Sequence, residues 1–254
     1  MAKHIILFFS TWFLLFGSSS AQVDTIRTYL PGNSGRIPLI ELNFGDSNST
    51  QKKPFILFLH GAGERGDDNC AQVKVGLPIF IETLKLSGID EYIVWAPQCP
   101  ANERWTDVDW KSTKHTMKPQ PTWPLQAVMK AVDSLVLSNS IDTSRMYIAG
   151  LSMGGYGTWE YIARQPHRFA AALAVCGGGD TLQANKNTTT AVWAFHGKAD
   201  NVVPYQNSVQ MVRATKKVNK NVHLISYPDV KHGSWNKAFA EEKIISEFIF
   251  TKKK

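Results

Sequence analysis

The hydrophobic positions of this chain form short continuous runs that alternate with segments of helical spacing. The runs at 54–60 (PFILFLH) and 91–97 (EYIVWAP) are almost wholly apolar, which is typical of strands buried on both faces of a sheet. Segment 125–138 places apolar residues three and four positions apart, which predicts an amphipathic helix. We therefore expect an α/β fold in which helices cover both faces of a mostly parallel, doubly wound sheet.

The rest of the chain continues this alternation of strands and helices. An alternating polar and apolar pattern on either side of Gly32 and Gly35 predicts an N-terminal antiparallel hairpin, 25–31 and 36–44, at a sheet edge. No internal repeat and no linker rich in Gly, Ser or Pro divides residues 22–254, so we expect them to form one domain. Further strands are predicted at 141–150, 171–177, 191–197 and 222–228, and further helices at 77–88, 155–166, 203–217 and 236–250.

Residues 1–21 have the pattern of an export signal. Lys3 precedes an apolar run, IILFFSTWFLLF, that is short for a bilayer span, and the small residues Ser19 and Ala21 precede Gln22 in a cleavage-like pattern. An uncleaved membrane anchor is the alternative. We expect a periplasmic or extracellular protein that has no stable membrane insertion after the signal is cleaved.

Charge and cysteine content narrow the range of partners. The formal net charge is +7, but the basic residues are spread along the chain apart from 214–220 and the C-terminal lysines, so no nucleic-acid surface is predicted. The three cysteines show no metal-binding spacing, and we expect neither a metal nor a cofactor. Cys70 and Cys99 both follow predicted strands and could form a disulfide, whereas Cys176 ends an apolar run and is expected to be a buried thiol. The oligomeric state stays open.

Segment 58–66, FLHGAGERG, fits two different kinds of site. Its glycines have the G-x-G-x-x-G spacing of a dinucleotide-binding loop, and His60-Gly61 after a strand is typical of a hydrolase oxyanion loop. A dinucleotide loop requires a helix that opens within the glycine run, but a polar and irregular sequence follows. The oxyanion interpretation, which needs a free N–H at Ala62, is therefore favoured over a nucleotide-dependent oxidoreductase.

A second glycine-rich segment predicts a nucleophile. Gly150-Leu151-Ser152-Met153-Gly154 matches G-x-S-x-G between a predicted strand and a predicted helix. A nucleophile at such a sharp turn needs glycines on either side, because larger side chains would collide with the strand and the helix. The turn raises the Ser152 hydroxyl above the sheet and directs the Met153 N–H towards a developing oxyanion.

A serine nucleophile needs a histidine base and a carboxylate that orients it, in the chain order Ser, Asp or Glu, His. His232 lies between the last strand and the last helix, where the base is expected. Asp200 follows strand 191–197 and is the expected acid, with Asp229 and Asp180 as rivals. The other histidines after Ser152 lie too early in the chain or within strands: His167, His196 and His223.

Five motifs together resemble α/β-hydrolase-fold serine esterases. They resemble most the polyhydroxybutyrate-depolymerase and feruloyl-esterase group and its "predicted peptidase" relatives, over roughly residues 35–250. The resemblance implies that Ser152 is the nucleophile, Asp200 the acid and His232 the base, with the Ala62 and Met153 N–H groups as the oxyanion hole. Related dienelactone hydrolases carry a cysteine nucleophile, so Ser152 argues against that activity. The motifs lie at 58–68, 95–100, 141–178, 193–204 and 230–235.

The predicted function is a serine carboxylic-ester hydrolase that works through an acyl-enzyme. Export and the tryptophans of the irregular loop 98–124 favour acetyl or feruloyl esters of carbohydrates as substrates. The expected substrate is a small-molecule or an oligosaccharide ester. Candidate substrate-binding residues are Glu64, Trp105 and Trp235, although the tryptophans could equally pack the loop onto the domain and Glu64 could pair with Arg65. A short-chain acyl esterase, a peptidase and a non-catalytic binding protein on the same fold are the alternatives.

Overall fold

The structure, a computed structural model, describes residues 23–46, 49–243 and 249–254; the expected export signal therefore lies outside the described residues. The strands are β1 Val23–Gly32, β2 Gly35–Phe44, β3 Lys53–Leu59, β4 Tyr92–Pro97, β5 Ile141–Leu151, β6 Ala171–Val175, β7 Ala191–Gly197 and β8 Val222–Tyr227. The α-helices are α1 Leu77–Lys85, α2 Trp123–Leu137, α3 Met153–Arg164, α4 Gln206–Thr215 and α5 Trp235–Ala238, and short 3-10 helices lie at Ala62–Glu64, Ala71–Val73 and Ala184–Lys186.

The strands form one eight-stranded sheet in the order β1-β2-β4-β3-β5-β6-β7-β8. The pairs β1–β2 and β2–β4 are antiparallel, and β3 to β8 run parallel to one another. The predicted mostly parallel sheet with an N-terminal hairpin at its edge is therefore confirmed. Its buried strands are those whose sequences are continuously apolar.

Strand β3 shows why a continuous apolar run is needed. All of its residues are buried, and they alternate between two hydrophobic clusters on opposite faces of the sheet. Phe55 and Leu57 pack in the cluster that contains residues of α2 and α3, whereas Ile56 and Phe58 pack in the cluster that contains residues of α1 and α5. Because each face is covered by helices, polar alternation within this strand would place a polar side chain in a core.

The structure describes part of the predicted C-terminal helix and all three cysteines. Within the predicted helix 236–250 it describes the short α5 and a helical start at residues 242–243, and residues 244–248 lie outside the described residues. The disulfide that the sequence left open between Cys70 and Cys99 is absent: both thiols are free, and Cys99 is buried. The prediction of a buried thiol at Cys176 is confirmed. Within the described ranges, no helix combines the length and apolar character needed to cross a membrane.

Lys53 is a buried cation that ties the end of the hairpin to the first residue of β3. Its Nζ donates hydrogen bonds to Asn43 Oδ1 at 2.8 Å, to the Phe44 carbonyl at 2.9 Å and to the Asp46 carbonyl at 2.7 Å. These three acceptors lie at the end of β2 and in the turn that follows it, so Lys53 links this turn to β3.

We expect Lys53→Met to lower the free energy of unfolding by about 1–3 kcal/mol, because one buried and two partly buried acceptors lose their donor. Denaturant unfolding at neutral pH measures this change. Lys52→Met is the matched control: Lys52 is exposed and bonds only to the exposed side chain of Asn139, so its loss is expected to change stability little. Equal unfolding free energies for wild type and Lys53→Met would contradict this role.

Candidate active site

Ser152 lies on a strained turn between β5 and α3. Its backbone has φ 53° and ψ −116°, a left-handed conformation that is costly for a residue with a side chain. The flanking glycines allow this turn, because a Cβ on Gly150 would lie 2.2 Å from the Gly154 carbonyl oxygen and one on Gly154 would lie 1.9 Å from the Leu59 oxygen. The Ser152 N–H donates to the Val175 carbonyl at 2.8 Å, which fixes the turn to the neighbouring strand.

The structure brings Ser152, His232 and Asp200 into one hydrogen-bonded chain. Ser152 Oγ lies 2.8 Å from His232 Nε2, and His232 Nδ1 lies 2.8 Å from Asp200 Oδ2. The loops after β7 and β8 meet closely: Ala199 N–H donates to the Val230 carbonyl at 3.1 Å, and a Cβ on Gly197 would lie 2.1 Å from that oxygen. This contact places the His232 loop over the Asp200 loop.

The Asp200 carboxylate is buried and fully supplied with donors. Its Oδ1 accepts the N–H groups of Val202 and Val203 at 2.8 and 2.9 Å, and its side chain has no solvent exposure. Burial alone raises the pKa of this carboxyl, but hydrogen bonds from His196, His232 and these two amides outweigh it and hold the pKa well below its usual range. Asp200 is therefore ionised at neutral pH.

The rival acids have other places in the structure. Asp180 accepts the Met117 N–H at Oδ2 and the Leu182 N–H at Oδ1, both at 2.9 Å, and so fixes the 98–124 loop to the segment after β6. Asp229 is exposed in the turn that follows β8. It is Asp200, and neither rival, that bonds to His232.

Segment 60–64 passes beside the nucleophile turn. Ala62 opens a 3-10 helix and Met153 opens α3, and in the described part of the chain neither of their N–H groups donates to a protein acceptor. The segment lies close to the turn, because a Cβ on Gly61 would be 2.7 Å from the Leu151 side chain. The first α-helix after the glycine run begins only at Leu77, which does not fit the dinucleotide interpretation.

His60 controls the orientation of the Ala62 amide. His60 Nε2 accepts the Cys99 N–H at 2.9 Å, so the proton of the neutral ring lies on Nδ1, which is 2.6 Å from the Gly61 carbonyl oxygen. In a trans peptide the C=O and the following N–H point in opposite directions. Holding the Gly61 carbonyl against the His60 ring therefore turns the Ala62 N–H away from it.

The prediction that Trp105 binds the substrate is wrong. Trp105 is fully buried, its indole N–H donates to the His60 carbonyl at 3.1 Å, and its ring packs edge-on against the His60 ring. It supports segment 60–64 from below and is not available to a substrate. Long-range packing of the 98–124 loop onto α3 buries this tryptophan, and the sequence of the loop alone does not reveal that contact.

Trp235 and Glu64 lie at the edge of the site. Trp235 is half-buried, with its ring edge-on to His232 at a centroid distance of 5.4 Å. Glu64 is half-buried beside Gly61, and burial raises the pKa of its carboxyl. The alternative Glu64–Arg65 ion pair does not occur among the described residues, because the Arg65 guanidinium bonds to the carbonyls of Ala62 and Glu103.

His196, which sequence reasoning set aside as a base, also contacts Asp200. Its Nε2 lies 3.1 Å from Asp200 Oδ2, the same oxygen that His232 Nδ1 contacts. The signal for this contact is the spacing of four residues between a strand-end histidine and the acid in His196-Gly-Lys-Ala-Asp200. The spacing does not specify the contact by itself, because the turn geometry after β7 decides it.

Comparison with known proteins agrees with this fold. The crystal structure of a thermostable esterase superimposes with a TM-score of 0.78 at 32% sequence identity, covering 91% of this chain and 64% of that one. A bifunctional acetylxylan esterase/xylanase, XynS20E, of Neocallimastix patriciarum is 28% identical over 189 residues, which are 74% of this chain and 25% of that protein. Poly(3-hydroxyalkanoate) depolymerase C of Paucimonas lemoignei is 25% identical over 178 residues, 70% of this chain and 40% of that protein.

The fold and these similarities define an esterase-type α/β hydrolase. A sequence profile of the phospholipase and carboxylesterase family matches residues 46–252, and the chain belongs to this family. The resemblance and the fold class expected from the sequence are thereby confirmed. The chain spans less than two thirds of the length of each of the three proteins compared.

The buried His60 is expected to make the stability of the fold depend on pH. Burial lowers the pKa of His60 to about 4, whereas an unfolded histidine titrates near 6.5, so acid favours the unfolded state. The contribution of neutral His60 to the free energy of unfolding is complete above pH 6.5. We expect roughly 3 kcal/mol of this free energy to be lost as the pH falls from 6.5 to 4.

Denaturant unfolding of wild type and His60→Gln at pH 7 and pH 5 measures this effect, since glutamine does not titrate. The difference in unfolding free energy between the two pH values should be smaller in the variant. His167→Gln, which removes an exposed histidine, is the matched control and should keep the wild-type difference. The same pH dependence in His60→Gln as in wild type would show that His60 is not the titrating group.

Proposed function

We propose that this protein is a serine carboxylic-ester hydrolase that uses Ser152, His232 and Asp200 and proceeds through an acyl-enzyme. The observation that carries the proposal is the hydrogen-bonded chain from Ser152 Oγ through His232 to the buried Asp200 carboxylate. A serine on a strained turn at a helix N-terminus, next to a histidine whose other nitrogen faces an ionised carboxylate, is the arrangement that acyl transfer requires.

In the proposed reaction, Ser152 Oγ attacks the ester carbonyl and its proton passes to His232 Nε2. Asp200 stabilises the resulting imidazolium and keeps the ring in the tautomer that can accept that proton. The N–H groups of Ala62 and Met153 stabilise the oxyanion. His232 then gives its proton to the leaving alcohol, and a water molecule activated by His232 hydrolyses the acyl-enzyme and restores Ser152.

We further propose that the substrates are acetyl or feruloyl esters of carbohydrates. The relative with an acetylxylan esterase activity in its name supports this class of substrate. Trp235, beside His232, supplies an aromatic surface on which a sugar ring or a feruloyl group can stack, and the half-buried Glu64 carboxyl can bond to sugar hydroxyls. A short-chain acyl esterase without carbohydrate preference is the second candidate, favoured by the similarity to a thermostable esterase.

The pattern of residues 1–21 supports an exported enzyme, periplasmic or extracellular, in which the signal is cleaved. A peptidase and a non-catalytic binding protein on this fold are weaker alternatives, and the next experiment separates the binding protein from the esterase.

Ser152→Ala should lower kcat/KM for p-nitrophenyl acetate by at least about 10³-fold, because the nucleophile is removed. It should also abolish labelling by a fluorophosphonate probe while leaving the melting temperature close to that of wild type. A variant that keeps more than about a tenth of the activity would contradict the proposed mechanism. Wild-type protein that is neither labelled nor active on any ester would favour a binding protein.

The substrate class is tested with an ester panel: p-nitrophenyl acetate and butyrate, methyl ferulate and acetylated xylan. We expect Trp235→Ala to raise KM for methyl ferulate and acetylated xylan several-fold, on the order of the 0.5–1.5 kcal/mol that aromatic contacts contribute, with p-nitrophenyl acetate little affected. Trp235→Phe is the matched control and should retain most of the preference. Equal losses on every substrate in Trp235→Ala would indicate that the ring only supports His232.

A further inference from the structure

We propose that His196 is a positioning residue, a second histidine that shares Asp200 with His232 and sets how strongly Asp200 acts on the base. This inference rests on the proposed function, because it concerns the same site. Asp200 Oδ2 lies 2.8 Å from His232 Nδ1 and 3.1 Å from His196 Nε2, so one carboxylate oxygen contacts two imidazole rings. The side chains of His196 and Asp200 are both fully buried.

Counting hydrogens fixes the role of the His196 Nε2 atom. Its two neighbours, Asp200 Oδ2 and the Val203 carbonyl oxygen, both at 3.1 Å, are acceptors only, so Nε2 carries a hydrogen. On the other side of the ring, Nδ1 lies 2.8 Å from Ser208 Oγ, which is also 2.9 Å from the Gly177 carbonyl oxygen.

The single Ser208 hydrogen can serve either the ring nitrogen or the Gly177 carbonyl. In the first case His196 is neutral, and in the second it is an imidazolium. In both cases Nε2 donates to Asp200, so the conclusion does not depend on the tautomer. Ser208 is buried at the start of α4 and therefore fixes the ring from the side opposite to Asp200.

The shared oxygen divides the negative charge of Asp200 between two donors. Each donor reduces the charge that is available to the other, because hydrogen bonding to the ionised form stabilises it. Without His196, the carboxylate would interact more strongly with the His232 imidazolium and hold its proton more tightly. His232 would then return that proton less readily to the leaving group, and the neutral base would exist only at higher pH.

Cys176, Tyr205 and Tyr156 surround Asp200 and its two histidines. The Cys176 sulfur, an Asp200 carboxylate oxygen and a ring nitrogen of His232 lie within 4.8 Å of one another, and burial raises the pKa of that thiol to about 12, which keeps it neutral. The Tyr205 ring packs edge-on against His196 at 5.7 Å. The Tyr156 hydroxyl bonds to Trp110 and Asn207, and burial, together with the nearby charge of Asp200, raises the pKa of this phenol, so it too is neutral. His196 and His232 are therefore the histidines that set the protonation state around Asp200.

Two amide variants separate donation from packing. The amide of His196→Gln is long enough to place an N–H near the position of Nε2, whereas the amide of His196→Asn is one methylene shorter and can reach Ser208 but not Asp200. His196→Leu is a second variant without a donor, close to histidine in volume, for use if the Asn variant does not fold. Thr215→Val, which removes a buried hydrogen bond to Met211 on α4, is the control for lost stability without contact to Asp200.

The measurement is kcat and KM for p-nitrophenyl acetate between pH 5 and 9, with melting temperatures for each variant. For His196→Asn or His196→Leu we expect kcat to fall by about 10-fold or more with KM nearly unchanged, and the acidic limb of kcat/KM to move to higher pH by about half a unit or more. His196→Gln should keep the wild-type acidic limb and most of kcat, and Thr215→Val should keep both.

The inference is overturned if the acidic limb of the Asn or Leu variant coincides with that of wild type, or if the Gln variant shifts as far as the Asn variant. Ser152→Ala, assayed in parallel, tests the proposed function separately. Loss of activity there together with unshifted His196 variants would leave the triad in place and reject only the role of His196. Full activity in Ser152→Ala would reject the proposed function itself.

Discussion

The site depends on one constraint, the left-handed backbone of Ser152 at the junction of β5 and α3. This conformation costs about 1–3 kcal/mol and persists only where the surroundings enforce it. Gly150 and Gly154 remove the side chains that would collide there, and the hydrogen bond from Ser152 N–H to Val175 fixes the turn to β6. Since Gly154 packs against the backbone of residues 59 and 60, the same turn also sets where the oxyanion segment passes.

A second set of contacts transmits this arrangement to the acid and the base. The buried Asp200 carboxylate accepts hydrogen bonds from two backbone amides and two histidines, so its position is determined by the turn after β7. The loop after β8 brings His232 to Asp200 because Gly197 lets the turns after β7 and β8 approach closely. Parallel strands that end at one edge of the sheet therefore deliver three side chains, distant in sequence, to a single point.

Much of this could be predicted from the sequence because local patterns determine it. The continuous apolar strands, the glycines around Ser152 and the chain order of Ser152, Asp200 and His232 are local features with one common structural explanation, and the structure brings the three side chains together.

The features that could not be predicted from the sequence depend on contacts between segments that are distant along the chain. Trp105 looked like a substrate contact but is buried under His60, and the pairing of Cys70 with Cys99 did not occur. His196, which the sequence does not favour as the base, is a neighbour of the acid. The most direct test of the central claim is a crystal structure of the phosphonate adduct on Ser152. The account predicts that the phosphoryl oxygen lies within hydrogen-bonding distance, about 2.7–3.1 Å, of both the Ala62 and Met153 nitrogens. An oxygen that reaches neither amide, or an adduct on another residue, would contradict it.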